Sequence, residues 1–99
     1  MNNKTEVIGD FIKFIIKNIL GGSDDFSINI TQSTKNIIVQ IEASQLDRGR
    51  IIGKRGVTID SLKTLTVGMK NSFFPADRRK IILEVLEPDD DFQRRNFNN

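Results

Sequence analysis

Apolar residues between Val7 and Leu20 fall at 7, 8, 11, 12, 15, 16, 19 and 20, a repeating step of four that lays them along one side of a helix. Gly21-Gly22 and the polar Ser23-Asp24-Asp25 stop it. From Phe26 the period changes to two. Phe26, Ile28 and Ile30 alternate with Ser27, Asn29 and Thr31, the pattern of a strand with one apolar face. Gln32 to Asn36 has hairpin length, and the β-branched run Ile37-Ile38-Val39-Gln40-Ile41-Glu42 predicts a second strand antiparallel to the first. Ser44 with Asp47 three residues later reads as an N-cap and an acid in the first turn, opening a short helix through Leu46, Ile51 and Ile52 that Gly53 ends. A third helix is predicted from about Val57 to Ser72, with Ile59, Leu62, Leu65, Thr66 and Met69 facing inward and Pro75 just beyond. Ile81 to Leu86 reads as a last strand, parallel to the second because a two-helix crossover joins them.

The predicted class is therefore α+β: helix, strand, strand, helix, helix, strand, with three strands and the helices on one face. With Phe14 added, the first helix carries apolar residues around more than half its circumference, more than one sheet face covers, which fits association with a partner through that helix and equally a small domain that wraps loops around it. Residues 1–5 are expected to be a flexible lead and 87–99, acidic at Asp89-Asp90-Asp91 and then rich in Asn, a mobile tail.

With 99 residues, one small domain is expected. There is no Cys, His, Trp or Tyr, which removes thiol and Ser-His-Asp chemistry, disulfides and Cys/His zinc sites. No catalytic constellation, cofactor motif, metal-ligand set or small-molecule site stands out, and G-x-x-x-x-G-K-[ST] is absent. No run of about 18 apolar residues and no signal-like start occur, so a cytoplasmic protein with no membrane contact is expected. The net charge of +2 hides an uneven distribution. Residues 48–80 hold nine Lys and Arg against Asp60 and Asp77, whereas the flanking stretches are both net negative. A basic segment inside a nearly neutral chain fits a phosphate-binding surface and equally a solvated helix face.

Inside that segment stands Ile51-Ile52-Gly53-Lys54-Arg55-Gly56-Val57-Thr58-Ile59. Two glycines three apart allow a tight turn and a close approach of backbone to ligand, and the following helix offers its N-terminal amides and positive dipole end to a phosphate. A plain helix-turn-helix corner needs the same glycines. In its setting the motif resembles the GXXG loop of KH domains, which clamps the backbone of about four nucleotides of single-stranded RNA. The element order resembles the bacterial type II KH arrangement, and Gly49-Arg50 before the motif makes the stretch similar to the small bacterial KhpA family, over roughly Glu6 to Leu86.

The resemblance implies a KH domain over residues 6–86. Gly53, Lys54, Arg55 and Gly56 would hold the sugar-phosphate backbone, Ile51, Ile52 and Ile59 would floor the base groove or support it from the core, and Arg48, Arg50 and Lys63 would extend a positive rim. It also implies RNA-chaperone or post-transcriptional work, and a homodimer or a heterodimer with a larger KH-domain RNA-binding protein. A KH-folded protein–protein adaptor remains the alternative. A DNA-reading helix is disfavoured because Thr58, Asp60, Ser61, Lys63 and Thr64 are a poor set for base edges.

Overall fold

A computed structural model describes residues 3–87. The elements follow the expected order: α1 (Lys4–Ile19), β1 (Phe26–Gln32), β2 (Asn36–Ala43), α2 (Gln45–Ile52), a single 3-10 turn (Lys54–Gly56), α3 (Val57–Phe73) and β3 (Lys80–Val85). The sheet order is β1-β2-β3, antiparallel between the first pair and parallel between the second.

Strand β2 organises the core. Its alternation buries Ile37, Val39, Ile41 and Ala43, and the register sets Ile28 and Ile30 of β1 beside Ile41 and Val39, and Ile81 of β3 beside Ile37. One sheet face is thus aliphatic, and α1 covers it with Ile8, Ile12, Ile16 and Leu20, α2 with Ile51 and α3 with Leu62. Burying each such side chain contributes about 1.5–3 kcal/mol relative to leaving it in water.

Three expectations need correction, and a fourth falls almost wholly outside the described residues. Residues 1–5 are not all a flexible lead: the Asn3 side chain accepts a 2.8 Å hydrogen bond from the Glu6 amide and caps a helix starting at Lys4. The cap and first turn are polar, so apolar spacing alone starts the helix late. Second, Phe11, Ile15 and Ile19, the flank of the wide α1 stripe, are half-buried against the core, which leaves Phe14 as the helix's exposed large apolar residue. Third, Leu65 faces solvent at 56% exposure, and the inward face of α3 is Leu62, Thr66 and Lys70. Lys70 is tolerated there because its Nζ donates to the Asp77 carbonyl at 2.6 Å. Fourth, of the tail at 87–99 only Glu87 lies within the described residues, and it ion-pairs with Arg48.

The α3–β3 connection is fixed by Asp77, whose side chain is 4% exposed. Its carboxylate accepts from Arg79 Nε and Nη2 (2.7 Å for the latter), from the Arg79 amide (3.0 Å) and from Lys4 Nζ (3.4 Å). Arg79 also reaches Gln32 Oε1 at 2.8 Å, tying the loop to the end of β1. The Arg79 side chain, then its backbone amide, then Lys4 hold the Asp77 carboxyl far below its ordinary 3.8 against the opposing effect of burial. The same bond raises the Arg79 guanidinium.

Because Asp77 is depressed in the folded state, its contribution is complete above the ordinary carboxylate value and is lost as pH falls toward the folded one. Asp77→Asn should therefore cost about 2 kcal/mol at neutral pH, the scale of charge-assisted hydrogen bonds lost from a buried site. Chemical denaturation across pH checks this: the gap between wild type and variant should narrow below about pH 4, and a gap independent of pH would contradict it.

Candidate nucleic-acid interface

The side chain of Ser44 accepts from the Asp47 amide and starts α2, and Gly53 ends it by donating its amide to the Gly49 carbonyl at 2.9 Å. Gly53 has φ 77° and ψ 173°, a region open essentially to glycine alone. The chain then makes one tight turn, closed by the Gly56 amide on the Gly53 carbonyl at 3.1 Å, with Arg55 at φ 57° and Gly56 at φ 77°. Left-handed backbone at a non-glycine residue is uncommon, and here it throws the Arg55 side chain outward beside Lys54. Gly56 has no side chain to cap α3, and the Val57 amide donates to the Lys54 carbonyl, so the helix starts without a side-chain cap.

The side chains of Lys54 and Arg55 are exposed and have no acidic or hydrogen-bonding partner among the described residues, and with Val57 and Thr58 these residues line an open cavity of about 460 Å³. Ile52 and Ile59 are half-buried next to the turn. Ile51 is fully buried, so it supports the turn from the core and does not floor a groove. Val57, 62% exposed beside the two cations, was not among the expected site residues. Its place directly after the second glycine is the signal for it.

The basic rim divides. Arg48, expected at the rim, is bonded within the fold: its Nε donates to the Leu86 carbonyl at 3.1 Å and its Nη2 to that of Val85, and it pairs with Glu87 at 3.2 Å, fastening α2 to the end of β3. Arg50 stays exposed near the turn, loosely paired with Asp47 at 3.6 Å. Lys63 is exposed six residues into α3 and lines a different cavity, between α3 and β3. Of the nine basic residues in 48–80, Lys70 and Arg79 are also taken up structurally. Lys54, Arg55, Lys63, Arg78 and Lys80 are left without a partner among the described residues.

A turn of this form between two helices, on a βααβ core preceded by a helix and a strand, matches a described family along most of the chain: the model for the KH domain of KhpA/KhpB covers residues 9–85. The chain belongs to the KhpA/KhpB KH family. It is 35% identical to the RNA-binding protein KhpA of Chlamydia caviae over 78 residues, which span 79% of this chain and 95% of that protein. The KhpA of Chlamydia trachomatis is 32% identical over the same shares, and that of Borreliella burgdorferi 30% identical over 79% of this chain and 90% of its own. All three are named RNA-binding proteins, and none of the names describes an enzyme. No solved structure matches the chain. The Gly53–Gly56 turn lies within the matched residues, and no helix among the described residues is long and apolar enough to cross a membrane.

Proposed function

We propose that this protein binds single-stranded RNA by holding its sugar-phosphate backbone at Gly53-Lys54-Arg55-Gly56, as a cytoplasmic RNA chaperone or post-transcriptional regulator. The observation that carries the reading is the pair Lys54 and Arg55, both exposed and unpaired among the described residues, on a glycine-flanked turn before an uncapped helix N-terminus. A phosphate at that place meets two cations and the positive end of a helix dipole together. Arg50 adds charge at the rim, and Ile52, Ile59 and Val57 offer aliphatic surface to bases. The names of the relatives agree with this chemistry.

A groove for about four nucleotides carries little sequence information, so binding by one domain should be weak and loosely selective, strengthened by avidity when two domains share a strand. A second copy, or a larger KH-domain protein, would supply the second groove. The competing reading, an adaptor that contacts only protein, draws on exposed Phe14, Leu46, Leu65 and Phe73. The charge at Lys54 and Arg55 favours RNA, since a turn serving only as a corner needs its glycines and not two adjacent cations.

Fluorescence anisotropy with an unstructured oligonucleotide and a hairpin stem of equal length tests the proposal. The expected result is clear preference for the single strand, because a duplex does not enter a groove built for a splayed backbone. Equal affinity for the two would count against it.

A further inference from the structure

Three of the unpaired cations of this chain lie far from the GXXG turn, at the other end of the sheet. The Asp77 network explains how they are held there. In the run Arg78-Arg79-Lys80 the middle residue turns inward to Asp77 and Gln32, and its two neighbours remain exposed. The Lys80 amide donates to the Lys35 carbonyl at 3.0 Å, which brings the β1–β2 turn beside the start of β3. Lys35, Arg78 and Lys80 thereby share one open cavity of about 540 Å³ with Thr34 and Asn36. A second cavity of about 490 Å³, between α3 and β3, shares Arg78, Arg79 and Lys80 with the first and extends to Lys63.

Asp77 is the one acid lining either cavity, and it is already committed to Arg79 and Lys4. Lys35, Lys63, Arg78 and Lys80 have no acidic partner among the described residues. Four like charges gathered around joined open cavities repel one another, and a polyanion relieves that repulsion. The cavity that Lys35, Arg78 and Lys80 share is lined by polar and charged residues alone, which suits a phosphate backbone better than a protein interface core, whereas the α3–β3 cavity also has Val67, Pro75, Ile81 and Ile82 in its lining.

We propose that Lys35, Arg78 and Lys80 form a second phosphate-binding surface, which takes the same RNA strand beyond the portion held by the GXXG turn, with Lys63 between the two. This rests on the RNA-binding reading and adds to it the length of the strand bound. Helix α3 connects the sites: Lys70 stands thirteen residues after Val57, which at about 1.5 Å per residue is about 20 Å. A strand of about four nucleotides is held by the turn alone, and a longer one reaches the far surface.

The test uses the full chain and a triple variant, Lys35→Ala, Arg78→Ala and Lys80→Ala, with unstructured RNA oligomers of about four and about sixteen nucleotides. None of the three side chains has a hydrogen bond or ion pair to lose among the described residues, and a melting curve matching wild type verifies that the fold is retained. The short oligomer should bind both proteins alike. On the long one the variant's salt slope should fall by about 2, or about 0.7 per lost phosphate contact. Between roughly 50 and 200 mM salt, wild type should then lose about twentyfold more affinity than the variant. If the folded variant binds the long oligomer with wild-type affinity and slope, the far surface is merely solvated and the GXXG reading stands. If wild type binds neither oligomer, the RNA reading falls and this inference with it.

Discussion

Replacing Lys54 and Arg55 together by Asp should abolish RNA binding and leave the melting curve where it is. Both side chains are exposed and neither has a partner among the described residues, so the fold loses no contact, and surface changes of this kind shift stability by less than about 0.5 kcal/mol. Backbone strain does not increase either. Arg55 is the one non-glycine residue with positive φ among the described residues, and Asp is among the residues that enter the left-handed region most readily. Binding responds in the opposite way, because a +2 clamp beside a phosphate becomes a −2 one while both glycines and the turn remain. Any residual binding should be less salt-sensitive, its slope flatter by about 1.4 for two lost contacts on a single strand. A double variant that melts normally and binds RNA with the affinity and slope of wild type would make the turn a structural corner, and the adaptor reading would then be the better one.

The fold and the turn were legible in the sequence because the signals for them are local. A step of four in α1, a step of two in β1 and β2, Ser44 as a cap and glycines at 53 and 56 each depend on residues within a turn or two. What is not legible is which side chains the fold takes up. Arg48 counts as a rim cation until β3, nearly forty residues later, delivers the carbonyls of Val85 and Leu86 to it. Lys70 counts as surface charge until the Asp77 carbonyl makes an inward lysine tolerable, and that rotates the buried stripe of α3 away from Leu65. Arg78, Arg79 and Lys80 are chemically alike and adjacent, and only the placing of Asp77 and Gln32 decides which of them is consumed and which two stay free. Charge in a sequence reports how many cations exist. Which of them remain for a ligand is settled by the hydrogen bonds of the folded chain, two residues apart for Arg79 and Asp77 and nearly forty for Arg48.

The two glycines of the turn should separate folding from binding. A Cβ on Gly53 would overlap Thr58 at Oγ1, at Cβ (2.7 Å) and at the backbone nitrogen (2.9 Å), and it would also sit at φ 77° and ψ 173°. A non-glycine residue in that region costs on the order of 1–3 kcal/mol before any overlap is counted. The overlap cannot be relieved by one side-chain rotation, because the Thr58 backbone is part of it. Gly53→Ala should therefore destabilise the domain by about 3 kcal/mol, a drop in melting temperature of roughly 15 °C for a domain of this size. Thr58→Ala in the same chain should restore little of it, since that change removes Oγ1 and leaves both the Cβ and the nitrogen in place. Gly56 differs. Its φ of 77° and ψ of 12° lie in the left-handed helical region, and a Cβ there meets only Asp60 Oδ2 at 3.9 Å. Gly56→Ala should cost about 1 kcal/mol in stability. Yet the new methyl stands in the open space at the head of α3, where a ribose-phosphate would lie against the backbone, so RNA affinity should fall severalfold in a protein that is still folded. Thermal melts alongside anisotropy titrations distinguish the pair. If Gly56→Ala binds RNA as wild type does, the strand does not approach the backbone at the second glycine, and the contact must be carried by the Lys54 and Arg55 side chains alone.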